Sequence, residues 1–235
     1  MLRDNGVAEV QKMENMTRRG FLATSGVAAA TLMAPSGMAF APGNFVQGRD
    51  RIRVGVIGCG GRGTGAAFDC FNADPGVQIV ALGDLFSNRT ESAFARMKEQ
   101  MGDRCLVTPE TVFNGFDAYK KVIATDCDLV ILATPPGFRP AHFEAAIDAG
   151  KHVFMEKPVA TDAPGVRRVI AAGEKATGKS LCVVAGTQRR HDSGYREVIK
   201  RIHDGAIGDV VSTRAYWNQG ALWSVNREPA MNDVE

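Results

Sequence analysis

Gly58-Cys59-Gly60-Gly61-Arg62-Gly63 follows a short β-branched run and sets its glycines in a Gly-x-Gly-x-x-Gly spacing. The first glycine can turn the chain tightly, the second lets backbone N–H groups approach a pyrophosphate, and the third lets the next helix pack close to the strand. The spacing alone also occurs in ordinary strand-to-helix turns. Asp84 is the second sign: it ends the next apolar run, about 20 residues past Gly63, where a carboxylate accepts hydrogen bonds from ribose hydroxyls and repels a 2′-phosphate. The pair predicts a dinucleotide cofactor, NAD, with NADP left possible by Arg89. That arginine otherwise reads as a solvated charge in a helix's first turn.

A second set of residues stands where strands end. Thr134 and Pro135 close the apolar run 128–133, and Glu156-Lys157-Pro158 closes 152–155. A proline pins the backbone beside Lys157, and a partly desolvated ammonium there suits proton transfer. An exposed rim lysine is the plainer alternative. Tyr216-Trp217-Asn218 places aromatics beside an amide, which suits stacking and hydrogen bonding to a sugar, unless the segment is simply a strand and turn of the core.

These groups need a frame, and the alternation of patterns supplies one. Apolar runs at 52–58, 77–82, 128–133, 152–155 and 181–185 are separated by helical patterns at 65–72, 88–101, 140–149 and 164–176, the last two stopped by Gly150 and Gly178. Strands nearly apolar on both faces and alternating with helices predict an α/β fold, a doubly wound parallel sheet with ligands at the strand carboxyl ends. A further strand is expected at 210–215.

Composition narrows the function classes. With 28 Lys plus Arg against 26 Asp plus Glu, the net charge of +2 makes no case for nucleic acid or an acidic partner. The five cysteines are odd in number and form no Cys-x-x-Cys pair, which argues against a disulfide framework or a zinc site, so no metal is expected. At the N-terminus, Arg18-Arg19 precedes an Ala-rich apolar run, 21–33, too short to span a bilayer. Ala39-Phe40-Ala41 then has the form of a cleavage site, with Gly37-Met38-Ala39 as a second choice because Pro42 follows the first. Residues 1–41 resemble a twin-arginine export signal, with Met16 an alternative start and 42–50 a linker. That implies a periplasmic or otherwise extracytoplasmic protein, with no stable membrane insertion once the signal is removed.

From 52 to 223 the chain resembles the Gfo/Idh/MocA oxidoreductases. The resemblance is carried by Val-Gly-Val-Ile-Gly-Cys-Gly-Gly-Arg-Gly, by Asp84, by Leu-Ala-Thr-Pro at 132–135, by His142, and above all by Ala-Gly-Lys-His-Val-Phe-Met-Glu-Lys-Pro at 149–158. It implies that Gly58, Cys59, Gly60, Gly61, Arg62 and Gly63 hold the pyrophosphate and Asp84 the ribose. Thr134, Pro135, His142 and Glu156 would line the cofactor cleft. Lys157 would be the catalytic residue at the reacting carbon, and Gln188 would face the nicotinamide amide. Arg189 and Arg190, with Tyr216, Trp217 and Asn218, are substrate candidates, while His191 and His203 read as structural. The partner implied is a small sugar or cyclitol, and the full-length protein a homo-oligomer.

Residues 51–187 then form the dinucleotide-binding domain, and 188–235 the start of a C-terminal substrate domain, too short to close a second sheet. Two other functions stay open: an NAD-dependent, redox-neutral glycoside-cleaving enzyme of the same family, whose known branch lacks the lysine of Glu-Lys-Pro, and a nucleotide-binding module without catalysis.

Overall fold

The computed structural model describes residues 51–220. The export-signal expectation for 1–41, the linker 42–50, and the part of the expected substrate domain from 221 to 235 lie outside the described residues.

Six parallel strands form one sheet in the order β3-β2-β1-β4-β5-β6. They are β1 (Ile52–Ile57), β2 (Val77–Asp84), β3 (Val112–Asn114), β4 (Leu129–Leu132), β5 (His152–Met155) and β6 (Val183–Ala185). The helices between them are α1 (Gly61–Ala73), α2 (Ser87–Met101), α3 (Ala118–Ile123), α4 (Arg139–Asp148) and α5 (Ala163–Gly178), with α6 (Ser193–His203) following β6. The doubly wound architecture is the one the alternation predicts.

The period of two along the strands sorts their side chains between two cores. Val54, Val56, Leu82 and Ile131 pack with Ala66 and Ala67 of α1 and Ala93 and Met97 of α2. Val130, Leu132, Val153 and Met155 pack on the opposite face with Val122 of α3, Phe143 and Ile147 of α4 and Ala172 of α5. Both faces are covered, so β2 is buried along its whole length. Strand order reverses direction between β1 and β4, and their carboxyl ends therefore open a crevice.

Several local expectations are corrected. Helix α1 begins at Gly61 rather than 65, so Gly61 and Gly63 sit in its first turn. Gly178 lies inside α5, and the chain reverses instead at Ser180, whose φ is 56°, with Leu181 N–H donating to Ala176 O at 2.9 Å. That bond satisfies a helix-end carbonyl without requiring glycine. β3 and α3, three and six residues long, had no counterpart in the pattern, because elements so short carry no full period. Segment 210–215 is not a strand: it runs exposed, with no neighbouring strand among the described residues to pair with it.

Candidate functional site

The glycine loop joins β1 to α1 and is shaped by what its residues lack. Gly58 has φ +95°, and a Cβ there would meet Thr134 N at 2.6 Å and Ala133 C at 2.7 Å. A Cβ on Gly63 would meet Gly58 O at 1.7 Å, so the first turn of α1 closes directly onto the end of β1. By contrast a Cβ on Gly61 would meet nothing within 4 Å, and one on Gly60 only the Arg89 guanidinium at 3.7 Å. The loop is thus tight toward the sheet and open outward at the N-terminus of α1. That is the cradle a pyrophosphate requires: free backbone N–H groups and the positive end of a helix dipole.

Asp84, 6% exposed, is held at the same edge. Its Oδ2 accepts from Cys59 N–H at 2.7 Å and its Oδ1 from Phe86 N–H at 3.1 Å, which fixes the carboxylate while each oxygen keeps a lone pair for a ribose hydroxyl. Arg89 is exposed in the first turn of α2, as the solvated-charge reading expects, with its guanidinium over Phe86, 5.2 Å from the ring centroid, and near Gly60. Cys59 packs inward; burial first, then the Asp84 charge, pushes its thiol up to about 12, so it is a small core residue and not a nucleophile.

The other wall is built by the loops after β4, β5 and β6. A cavity of about 660 Å³ is lined by Arg62 from the glycine loop, Glu156 and Lys157 after β5, and Gly186, Gln188 and His191 after β6. Arg62, the arginine expected at the pyrophosphate, crosses it, its Nε donating to Glu156 Oε1 at 2.7 Å. Glu156 is 8% exposed, and the chain passes so close that a Cβ on Gly186 would meet its Oε1 at 3.0 Å. Thr134 Oγ1 lies 3.2 Å from His142 Nδ1, and His142 stacks on Tyr119 at 4.1 Å. Burial, with the Arg139 charge adding to it, pushes His142 down to about 4, so a neutral imidazole stands at this edge.

Of the residues the sequence marked, the structure brings the glycine loop, Arg62, Thr134, Glu156, Lys157 and Gln188 to one crevice. Pro135 is exposed at the turn that leads into α4. Lys157 is exposed, not partly desolvated, because no element among the described residues covers the crevice from the far side. Arg189 donates from Nε to Tyr195 Oη at 2.9 Å and lies 4.6 Å from the Trp217 ring centroid, so it forms a small aromatic cluster with a residue the sequence placed far away. Arg190, Tyr216 and Asn218 are exposed and join no such cluster. His191, read as structural, lines the cavity. Arg139 is the residue that sequence reasoning passed over: it is 2% exposed beneath this wall, and only its place before a proline at a helix start hinted at it. Among the described residues no group of His, Cys, Asp and Glu could hold a metal ion, and no helix is long and apolar enough to cross a membrane.

Comparison with known proteins agrees with this geometry. Residues 52–184 match the model of the Gfo/Idh/MocA family, described as an oxidoreductase family with an NAD-binding Rossmann fold. Inositol 2-dehydrogenase 3 of Saccharopolyspora erythraea is 35% identical over 157 residues, 67% of this chain and 42% of that protein. The crystal structure of scyllo-inositol dehydrogenase from Lactobacillus casei with NAD(H) and scyllo-inositol superposes with a TM-score of 0.55 at 25% identity, covering 68% of this chain and 43% of that one. KijD10, a 3-ketoreductase from Actinomadura kijaniata solved with NADP, gives 0.52 at 28% identity, covering 68% and 44%. The chain therefore spans under half the length of these three relatives. With the glycine loop, the fixed Asp84 carboxylate and the Glu-Lys-Pro turn at the carboxyl ends of a doubly wound sheet, the chain belongs to the Gfo/Idh/MocA oxidoreductase family and carries its NAD-binding domain.

Proposed function

We propose that the protein takes part in hydride transfer between a nicotinamide cofactor and a hydroxyl-bearing carbon of a sugar or cyclitol. The observation that supports this reading is the open glycine cradle with Asp84 fixed beside it, from which Arg62 reaches into the cavity that Lys157 also lines. The glycine loop would hold the pyrophosphate, Asp84 the adenosine ribose, and Gln188 the nicotinamide amide. The cofactor supplies the redox chemistry, accepting or giving the hydride. Lys157 supplies the proton movement: it takes the hydroxyl proton in oxidation and returns one to the carbonyl oxygen in reduction. Neutral His142 holds the Thr134 side chain at the edge of that cleft.

Inositol dehydrogenases among the relatives make a cyclitol the first substrate to test. Arg189, Arg190, Tyr216, Trp217 and Asn218 are the proposed substrate-side residues. Asp84 favours NAD, and Arg89 beside Gly60 keeps NADP possible. The presence of Lys157 weighs against redox-neutral glycoside cleavage, and against a binding module without catalysis. Incubation with NAD and a panel of inositols and sugars should produce NADH with at least one; release of free sugar from a nitrophenyl glycoside without net NADH would reverse the reading.

The export signal is proposed on the Arg18-Arg19 motif. Replacing both arginines by lysine should retain the protein inside the cell, and unchanged export would remove that proposal. An exported enzyme is cut off from the cytoplasmic NAD pool, so the cofactor should be held tightly and leave with the denatured protein in mass spectrometry. The full-length protein is proposed to be a homo-oligomer, which light scattering would check.

A further inference from the structure

We propose that Arg139 is a positioning residue: its buried guanidinium clamps the β4–α4 loop to the Glu-Lys-Pro turn and thereby holds the backbone of both loops, and Lys157 with them, at the nicotinamide end of the cleft. Arg139 Nη2 donates to Thr134 O and Nη1 to Pro158 O. Those carbonyls belong to two loops that leave different strands, one immediately after β4 and the other one residue past Lys157. A single planar fork therefore fixes both at once, which a lysine's point charge does less well.

The placement is costly for anything but a clamp. Arg139 is 2% exposed, and its Nε finds no partner among the described residues. It sits at the first position of α4, the positive end of a helix dipole, where a cation is disfavoured. Among the described residues no carboxylate comes within ion-pair distance of it; Glu156, the nearest influence, is committed to Arg62. Burial pushes the guanidinium down from its usual range. An unpaired buried cation survives only where its hydrogen bonds are worth more than its desolvation. The two loops meet elsewhere as well, since a Cβ on Gly137 would lie 3.9 Å from Thr161 Oγ1, and the helices that follow them approach where a Cβ on Gly165 of α5 would meet Pro140 Cγ of α4 at 3.1 Å. Arg139 is the polar centre of that contact.

The inference rests on the proposal that Lys157 serves the nicotinamide, and its test separates the two. Titrations of NADH and of ADP-ribose, which lacks the nicotinamide end, are compared for the wild-type chain, Arg139→Met and Arg139→Lys. Arg139→Met should weaken NADH about tenfold or more while ADP-ribose stays within about twofold, and Arg139→Lys should recover part of the loss. Equal losses for both ligands, or none for NADH, would overturn the clamp; failure of wild-type chain to bind NADH would count against the cofactor reading instead. Backbone hydrogen exchange needs no ligand and decides the matter separately, in Arg139→Lys if Arg139→Met does not fold. Exchange should rise about tenfold in peptides covering 134–138 and 156–161 and stay unchanged over β1 and β2. A uniform rise, or no change in those two loops, would show that Arg139 serves general stability or nothing.

Discussion

The two walls of the cleft are made rigid by opposite means. On the β1–β2 side, the glycine loop is held by missing side chains: backbone sits on backbone at Gly58 and Gly63, and the peptide groups of Cys59 and Phe86 aim at one carboxylate. On the β4–β5 side, two loops are held by a large side chain, the buried Arg139 guanidinium, with Glu156 tied to Arg62 across the gap. The first kind of wall tolerates no added atom at Gly58 or Gly63. The second depends on a few polar contacts, and it carries the residue proposed to move a proton.

Gly63→Ala attacks the first wall at its tightest point. A Cβ placed 1.7 Å from Gly58 O cannot be absorbed by side-chain motion, and the loss of stability should be about 4 kcal/mol or more, read as a fall in the urea midpoint or as insoluble protein. A folded Gly63→Ala chain near wild-type stability would show that α1 can shift away from β1.

His142 tests the second wall through pH. Its folded pKa of about 4 lies below the unfolded 6.5, so the unfolded chain binds the extra proton first and stability falls as pH drops from 6.5 toward 4. At about 1.4 kcal/mol per unit, the loss across that window is about 3 kcal/mol, and above 6.5 this group contributes no pH dependence. His142→Gln should flatten that part of the thermal-midpoint profile. An unchanged slope would mean that the imidazole titrates normally.

Asp84→Asn is milder, since the amide oxygen can still accept from one backbone N–H. It should shift the ratio of NADH to NADPH affinity about tenfold toward NADPH, roughly 1.4 kcal/mol, with Arg89 beside it able to meet a 2′-phosphate. An unchanged ratio would place cofactor choice elsewhere. The smallest effect concerns thiols. Cys182, exposed, should be alkylated readily in native protein, while Cys59 stays unmodified until unfolding. Early labelling of Cys59 would show that the glycine loop opens.

The difference between the walls also explains what the sequence made legible. Glycine spacing, a carboxylate at a strand end and strands buried on both faces are local signals, so the sheet, the glycine loop and Asp84 could be read directly. The Glu-Lys-Pro turn was legible by resemblance. Arg139 was not, because its partners are main-chain carbonyls of two loops, and carbonyls leave no mark in a sequence. The short β3 and α3 escaped for want of length. Beyond Gln188 the pattern predicted a strand at 210–215 from apolar and β-branched residues. Such a strand exists only beside a partner, and among the described residues Val211 is 96% exposed with none to pair with. The Arg189–Trp217 contact was likewise invisible, since it joins residues that no periodicity links.

The central claim is that one cleft joins dinucleotide binding to proton transfer at Lys157. The direct measurement is NAD-dependent oxidation of an inositol by wild-type protein and by Lys157→Ala, with NADH affinity determined for both. Turnover should fall about a hundredfold or more while NADH binds within about threefold of wild type. Near-normal turnover in Lys157→Ala, with the cofactor bound as tightly, would contradict the account.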